Sequence, residues 1–281
     1  MVIARTIADA REAVAHANRV LLVPTMGAFH EGHLSLIRTA VADRSADGGV
    51  VAVSLFVNPA QFNDPRDLET YPRNEERDLR LAEECGADVL FAPPVSEVYP
   101  RGAARTRVVP AHIASRWEGE RRPGHFVGVA TVVAKLFHVF LPGVAYFGEK
   151  DWQQCRVIAE MVEDLDFPVW LRFCPTVRES DGLAMSSRNA RLSEVARSKA
   201  PALYRSLVGV AKAVVSGEEM PRACQSAIEA LLRQGFGGVD YFAVVDEMTL
   251  EPAEAIGPGL RVIGAATLEG VRLIDNVPVE V

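Results

Sequence analysis

Two histidines three residues apart, His30 and His33, end the run Pro24-Thr25-Met26-Gly27-Ala28-Phe29-His30-Glu31-Gly32-His33. Residues at that spacing share a helical face, so both imidazoles project to one side where the run turns into a helix. A helix N-terminus offers unpaired N–H groups and the positive end of the dipole, a combination suited to phosphate. Gly27 permits a tight turn, and Gly32 removes a side chain where a ligand could approach. A single histidine in such a place reads as structural; two beside flanking glycines at a strand-to-helix turn favour chemistry. The run also superficially resembles the H-E-x-x-H helix of zinc hydrolases. Its spacing is one residue short and no third ligand is near in sequence, which argues against a zinc site.

Three other loops carry suitable groups. Asn58 and Gln61, in Phe56-Val57-Asn58-Pro59-Ala60-Gln61-Phe62, bear neutral amides that can recognise hydroxyls and a carboxylate without adding charge. A proline-rich surface loop capping its own turns accounts for them equally well. Gly148-Glu149-Lys150-Asp151-Trp152-Gln153-Gln154 again runs from a strand into a helix. There Lys150 can neutralise phosphate, Asp151 can hold ribose hydroxyls, and Gln154 lies one helical turn beyond Lys150. The bland alternative is an acidic first turn with a solvated lysine. In Asp181-Gly182-Leu183-Ala184-Met185-Ser186-Ser187-Arg188-Asn189, consecutive hydroxyls precede a planar guanidinium, a set suited to a polyphosphate. A hinge loop that caps the next helix is the competing reading. Arg121-Arg122-Pro123-Gly124-His125 adds further cationic groups.

The elements that must position these loops alternate. Helical spacing over 7–18 follows Thr6 as N-cap, and Val20–Val23 is a short buried strand. Helix 31–44, strand 50–57, helix 74–84 between Asn74 as N-cap and Gly86 as stop, and strand 88–92 follow. Beyond an irregular stretch come an apolar helix over 127–140, strand 144–147, helix 152–165 and strand 169–173. This β-α alternation predicts an α/β fold, a Rossmann-like doubly wound parallel sheet, with ligands beyond the carboxyl ends of its strands. After about Pro175 the pattern changes to helices near 193–215 and 219–234, then strands 239–245, 260–267 and 271–274. That order predicts a smaller C-terminal α+β domain, so the expected division is 1–176 and 177–281.

Composition narrows the classes. The 281 residues suit roughly two domains, and 49% hydrophobic with 24% charged residues is ordinary for a globular chain. A formal charge of −7 argues against a general nucleic-acid binder, which needs a basic face. No apolar run reaches the roughly 18 residues of a membrane span, and the N-terminus lacks a secretory pattern. Cys85, Cys155, Cys174 and Cys224 are scattered, as suits a reducing cytoplasm better than a disulfide framework.

Taken together, the segments PTMGAFHEGH, FVNPAQF…YPR, FGEKDWQQ and VRESDGLAMSSRN resemble the pantoate–β-alanine ligase family in order and spacing, across essentially the whole chain. That family lies within the wider nucleotidyltransferase and class I aminoacyl-tRNA synthetase superfamily. The HxGH element alone marks only the superfamily; its combination with the other three segments is specific. Phe29 stands where leucine is more usual, and Trp152 replaces a smaller aromatic.

The resemblance implies a two-step ligation. ATP and pantoate give an enzyme-bound pantoyl adenylate and pyrophosphate; the amine of β-alanine then attacks, releasing pantothenate and AMP. It further implies that His30 and His33 bind the triphosphate with His33 as proton donor, that Lys150 contacts phosphate oxygens, and that Ser186, Ser187 and Arg188 hold the β/γ end. Met26, Gly27, Gly148, Glu149, Asp151, Val177 and Met185 complete the implied ATP site, Asp151 on the ribose and Gly148 allowing close approach. Gln61 and Gln154 bind pantoate, Met26 packs on its gem-dimethyl carbon, and Asn58 orients the histidine side. Mg²⁺ is held mainly by triphosphate oxygens, with Asp78 reaching it through water. On this reading residues 1–176 bind ATP and pantoate and 177–281 act as a lid. The resemblance also implies a cytoplasmic homodimer acting on small molecules, without nucleic-acid or membrane partners. A related nucleotidyltransferase releasing a stable adenylylated product is the alternative, and a non-catalytic nucleotide sensor is a further one.

Overall fold

The computed structural model describes residues 1–44 and 49–280. Contacts divide the chain into two units: Met1–Glu149 with Val157–Pro175, and Lys150–Arg156 with Thr176–Val281. Residues 150–156, expected in the first domain, group with the second unit because Trp152 Nε1 donates to the Glu247 carbonyl at 2.8 Å and Arg156 Nε to that of Met248 at 3.2 Å.

The first unit is built on β1 (Val2–Ala4), β2 (Arg19–Thr25), β3 (Gly49–Leu55), β4 (Val89–Phe91), β5 (Val144–Gly148) and β6 (Trp170–Cys174). They form one parallel sheet in the order β1-β4-β3-β2-β5-β6. Leu22, Val23, Val51, Ala52 and Val53 are completely buried, as continuous apolar strands covered on both faces must be. The chain steps outward from β2 through β3 to β4, then resumes on the other side with β5 and β6. The order therefore reverses between β2 and β5, and the loops leaving those two strands open the crevice where such sheets take ligands.

The helices are α1 (Ile7–Val14), α2 (Glu31–Ala42), α3 (Pro65–Glu69), α4 (Glu75–Glu84), α5 (Val95–Val98), α6 (Glu118–Arg121), α7 (His125–Phe140) and α8 (Trp152–Asp164). Thr6 caps α1 reciprocally with Asp9, but the helix stops at Val14 rather than residue 18. Asn74 Oδ1 accepts the Arg77 amide at 3.1 Å to start α4, and Gly86 at φ +90° ends it. Gly124 at φ +82° and Leu141 at φ +45° bracket α7, which is buried along most of its length.

In the second unit, β7 (Gly238–Asp246), β8 (Leu260–Leu268) and β9 (Val271–Val279) form an antiparallel sheet in the order β7-β8-β9. Positive φ at both Glu269 and Gly270 makes the tight β8–β9 turn. The helices are α9 (Glu194–Lys199), α10 (Ala202–Val215) and α11 (Met220–Arg233). Leu203, Leu207, Val210 and Val214 of α10 and Ala223, Ala227 and Leu231 of α11 share one core with the sheet. The single helix expected over 193–215 is two, because Pro201 lacks the N–H that would continue the ladder and instead serves as the N-cap of α10. β9 runs five residues past the expected end at 274, since Asp275, Asn276 and Pro278 interrupt its apolar signal. No helix among the described residues is long and apolar enough to cross a membrane.

Candidate active site

The loop between β2 and α2 is fixed from three directions. Thr25 Oγ1 donates to the Ser54 carbonyl at 2.5 Å, and the Thr25 amide donates to Ser54 Oγ at 3.2 Å, which ties the end of β2 to β3. Gly27 then turns at φ +81°, where a Cβ would stand 2.9 Å from Asp78 Oδ2. Ala28 follows at φ +54°, a left-handed conformation costing about 1–2 kcal/mol without glycine. Asp78 of α4 offsets that cost: Oδ2 accepts the Ala28 amide at 2.7 Å and Oδ1 the Phe29 amide at 2.8 Å. Arg77 Nη1 closes the clamp on the Phe29 carbonyl at 2.8 Å. The Phe29 ring is buried in the core beneath, so the larger aromatic at this position is accommodated by packing.

This clamp presents the histidines. His30 is the extended N-cap of α2, and the His33 amide donates to the His30 carbonyl at 2.8 Å. The two rings lie 4.1 Å apart, centroid to centroid, tilted by 38°. The His30 amide points at His33 Nδ1, 3.4 Å away. With Nδ1 accepting, the neutral imidazole of His33 carries its proton on Nε2.

Asp78, for which a water-bridged Mg²⁺ contact is expected from the resemblance, is engaged with the loop. It is 1% exposed and both of its oxygens are taken up by loop amides. Among the described residues, no group of three or more His, Cys, Asp or Glu is placed to hold a metal.

Asn58 is enclosed by its own partners. It is 1% exposed, and its Nδ2 donates to Gln61 Oε1 and to the Gly128 carbonyl, both at 3.1 Å. Its Oδ1 accepts the Tyr99 hydroxyl at 2.9 Å and the Ala60 amide at 3.2 Å. All four hydrogen-bonding positions of the amide are occupied, which fixes Asn58 against Gln61. Burial raises the Tyr99 phenol to about 12, against a smaller pull downward from its bond to Asn58.

Gln61 is held on both sides. Its Nε2 lies 2.9 Å from Met26 Sδ, which joins this loop to the histidine loop. Its carbonyl accepts His125 Nδ1 at 2.8 Å and Arg122 Nη2 at 3.3 Å. The expected cationic cluster 121–125 therefore supplies backbone anchors for Gln61. Gly128 in α7 lets the Pro59–Gln61 turn lie directly on the helix; a Cβ there would be 2.3 Å from the Ala60 carbonyl oxygen. Gly148 ends β5 opposite Cys174 of β6, with Glu149 next in chain.

Within the second unit, Lys150 Nζ lies 3.7 Å from Asp151 Oδ1, and the Lys150 carbonyl accepts Asn276 Nδ2 at 3.0 Å. Gln154 follows on the first turn of α8, partly exposed. The segment from Val177 to Met185 is a small hairpin: Met185 N donates to the Val177 carbonyl at 3.0 Å and Glu179 N to that of Leu183 at 2.8 Å. Its turn contains Gly182 at φ +93°, where a Cβ would strike Tyr204. Arg197 beside Asp181 holds that carboxyl below the usual range and braces the same turn. Ser186 Oγ accepts the Arg188 amide at 3.3 Å, starting a 3-10 helix over Ser187–Arg191. A hydroxyl that accepts one amide can still donate its own proton.

The loops that the sequence singled out are thus gathered in two sets, Met26, Gly27, His30, His33 and Gln61 in the first unit, and Lys150 with the Val177–Met185 hairpin and the Ser186–Arg188 segment after it in the second. The supports went unseen: Arg77, Tyr99, Gly128 and Asn276 carry no motif. A glycine inside an apolar helical run was the one available hint for Gly128.

A doubly wound sheet whose switch-point loop presents paired histidines at a helix N-terminus defines an α/β nucleotide-binding enzyme. The family described as pantoate-beta-alanine ligase matches residues 2–278. The pantothenate synthetase of Cereibacter sphaeroides is 50% identical over 279 residues, 98% of each chain, and that of Rhizorhabdus wittichii 46% identical over 284 residues, covering 100% of this chain and 99% of the other. The crystal structure of the Thermus thermophilus pantothenate synthetase superposes with a TM-score of 0.92 at 46% identity, covering 100% of both chains. The Francisella tularensis pantoate-beta-alanine ligase, solved with beta-gamma ATP and beta-alanine, gives a TM-score of 0.83 at 33% identity over 100% of this chain and 98% of that one. The chain belongs to the pantoate-beta-alanine ligase family.

Proposed function

We propose that this chain joins pantoate to β-alanine using ATP, through a pantoyl adenylate, with release of pyrophosphate and AMP. The observation that carries the proposal is the clamped β2–α2 loop, which sets two adjacent, mutually tilted imidazoles at a helix N-terminus, on a loop joined to Gln61 through Met26. Family membership and the nucleotide and β-alanine bound by the Francisella tularensis relative support it.

The first step must bring a carboxylate to the α-phosphorus of a polyanion. The pantoate oxygen forms a bond to that phosphorus while the bond to pyrophosphate breaks, and pyrophosphate leaves with the electron pair. His30 and His33 offset the repulsion and stabilise the charge that builds on the leaving group, with the Nε2 proton of His33 directed to it. Lys150 meets phosphate oxygens; Ser186, Ser187 and Arg188 take the β/γ end. Met26, Gly27, Gly148, Glu149, Val177 and Met185 line the nucleotide, and Asp151 takes the ribose. Gln61 and Gln154 bind the hydroxyl and carboxylate of pantoate through neutral amides, and Met26 packs on its gem-dimethyl carbon. Mg²⁺ enters as part of the nucleotide substrate, since Asp78 is committed to the loop. In the second step the β-alanine nitrogen attacks the acyl carbon, the bond to AMP oxygen breaks, and the amine sheds a proton. Positioning is the main contribution of the protein here.

The same reading makes the protein a cytoplasmic homodimer with small-molecule substrates alone, in keeping with its acidic balance and scattered thiols. Product analysis with ATP, pantoate and β-alanine tests it: AMP and pantothenate in equal amounts are expected. A stable adenylylated product that never yields the amide would instead favour a nucleotidyltransferase.

A further inference from the structure

The polar network inside the second unit has no part in the reaction as proposed, yet it joins both of the segments in that unit to which phosphate contacts are assigned. Asp275 and Asn276 sit side by side on β9, each 5% exposed. Asn276 Nδ2 donates to the Lys150 carbonyl at 3.0 Å, and its Oδ1 accepts Arg261 Nη1 at 2.5 Å. The Arg261 guanidinium lies over the Trp152 ring, 3.8 Å from the centroid, so the residues on both sides of Asp151 are held from the same sheet. On the other side, Asp275 receives Arg178 through both carboxylate oxygens, at 2.6 and 3.0 Å. Arg178 also donates to the Asn276 carbonyl at 3.3 Å and the Gly182 carbonyl at 3.1 Å, and stacks on Tyr204 at 3.9 Å. Arg178 belongs to the hairpin that ends at Met185, next to Ser186.

A lysine side chain has four rotatable bonds, and its reach is only as well defined as its backbone. A buried amide on the Lys150 carbonyl removes that freedom at the root. A bidentate arginine–carboxylate pair has fixed planar geometry and does the same for the hairpin. Sharing two neighbouring residues of one strand, the two segments keep a constant spacing.

We infer that Asn276 and Asp275 are positioning residues for ATP: they hold Lys150 and the Val177–Met185 hairpin that leads into Ser186–Arg188 at a set separation, so that phosphate is met by both segments together. This rests on the ligase reading for the roles of those two segments. Both residues are buried, so their effect passes through the segments they hold.

The test is steady-state ATP–pyrophosphate exchange by the full-length protein, with Asn276→Ala, Asn276→Asp, Lys150→Ala and the Asn276→Ala/Lys150→Ala pair. Asn276→Asp keeps an acceptor for Arg261 while replacing the donor to Lys150, and serves if the alanine variant folds poorly. The expected result is a fall of at least about tenfold in kcat/KM for ATP, with KM for pantoate unchanged. In the Lys150→Ala background the second change should cost less than about twofold, because the group being positioned is gone. Wild-type ATP parameters in both Asn276 variants would overturn the inference. So would a loss that multiplies fully in the double variant, or a lower kcat with both KM values unchanged and a matching loss of folded protein. Wild-type exchange by Lys150→Ala would strike instead at the role given to Lys150 in the ligase reading. In that event Asp275→Asn, which breaks the bidentate pair with Arg178, decides: an ATP-selective defect supports positioning through the hairpin, and wild-type ATP parameters refute it.

Discussion

Replacing Asp78 by asparagine separates a loop clamp from a metal ligand. The carboxylate is buried and accepts two backbone amides, from Ala28 at 2.7 Å and Phe29 at 2.8 Å. An asparagine of the same shape has one acceptor oxygen, and its NH₂ group must face the other amide donor. One charge-assisted bond is lost, worth about 1.5–3 kcal/mol, and a buried N–H is left opposed. A total near 2–3 kcal/mol is expected, which at about 2–4 °C per kcal/mol lowers the melting temperature by about 4–12 °C. The cost falls on the two residues that deliver His30 and His33 to the N-terminus of α2, so exchange of pyrophosphate into ATP should slow by about 10–100-fold. The concentration of Mg²⁺ giving half-maximal rate should not move. Thermal unfolding, urea unfolding and an Mg²⁺ titration of the exchange rate read all three quantities. A variant that melts like wild type but needs several-fold more Mg²⁺ would refute the clamp and place the carboxylate on the metal.

Gln61→Ala should raise KM for pantoate more than KM for ATP, since the lost amide contacts are worth about 1–3 kcal/mol; an ATP-selective defect would reassign the residue. Gly128→Ala pushes a methyl group to 2.3 Å from the Ala60 carbonyl oxygen, so the Pro59–Gln61 turn must lift from α7. A destabilisation of about 1–3 kcal/mol by urea unfolding, with a weaker grip on pantoate, is expected, and an unchanged midpoint contradicts the packing described. Tyr99 should ionise near 12 when tyrosinate absorbance is followed against pH, and Tyr99→Phe should remove one late-ionising group. Because burial raises this pKa in the folded state, its stabilising contribution is whole below the ordinary tyrosine range near 10 and is lost as pH climbs toward 12. Ionisation of Tyr99 near 10 would mean that the phenol is not enclosed.

The alternation of buried strands and helices was readable because a parallel strand covered on both faces is a continuous apolar run, as in Val51–Val53. Local caps were readable for the same reason: Thr6 and Asn74 act on amides three residues away. The interactions that organise the site are not local. Asp78 reaches Phe29 across 49 residues, His125 reaches Gln61 across 64, and Asn276 reaches Lys150 across 126. No periodicity records such pairings. Asn58 stands out in the sequence but its task does not, because an amide that orients another amide looks the same there as one that meets a substrate. In the second unit, Pro201 was the visible sign that 193–215 is two helices, and polar Asp275 and Asn276 hid the last half of β9.

The central claim is that the paired imidazoles on the clamped loop let two anions react. Pantoate-dependent exchange of labelled pyrophosphate into ATP, measured for the wild type and for folded His33→Ala, tests it most directly. Exchange only in the presence of pantoate, falling at least about 10²-fold in the variant, is the expected result. Exchange that proceeds without pantoate, or that His33→Ala leaves at the wild-type rate, would contradict it.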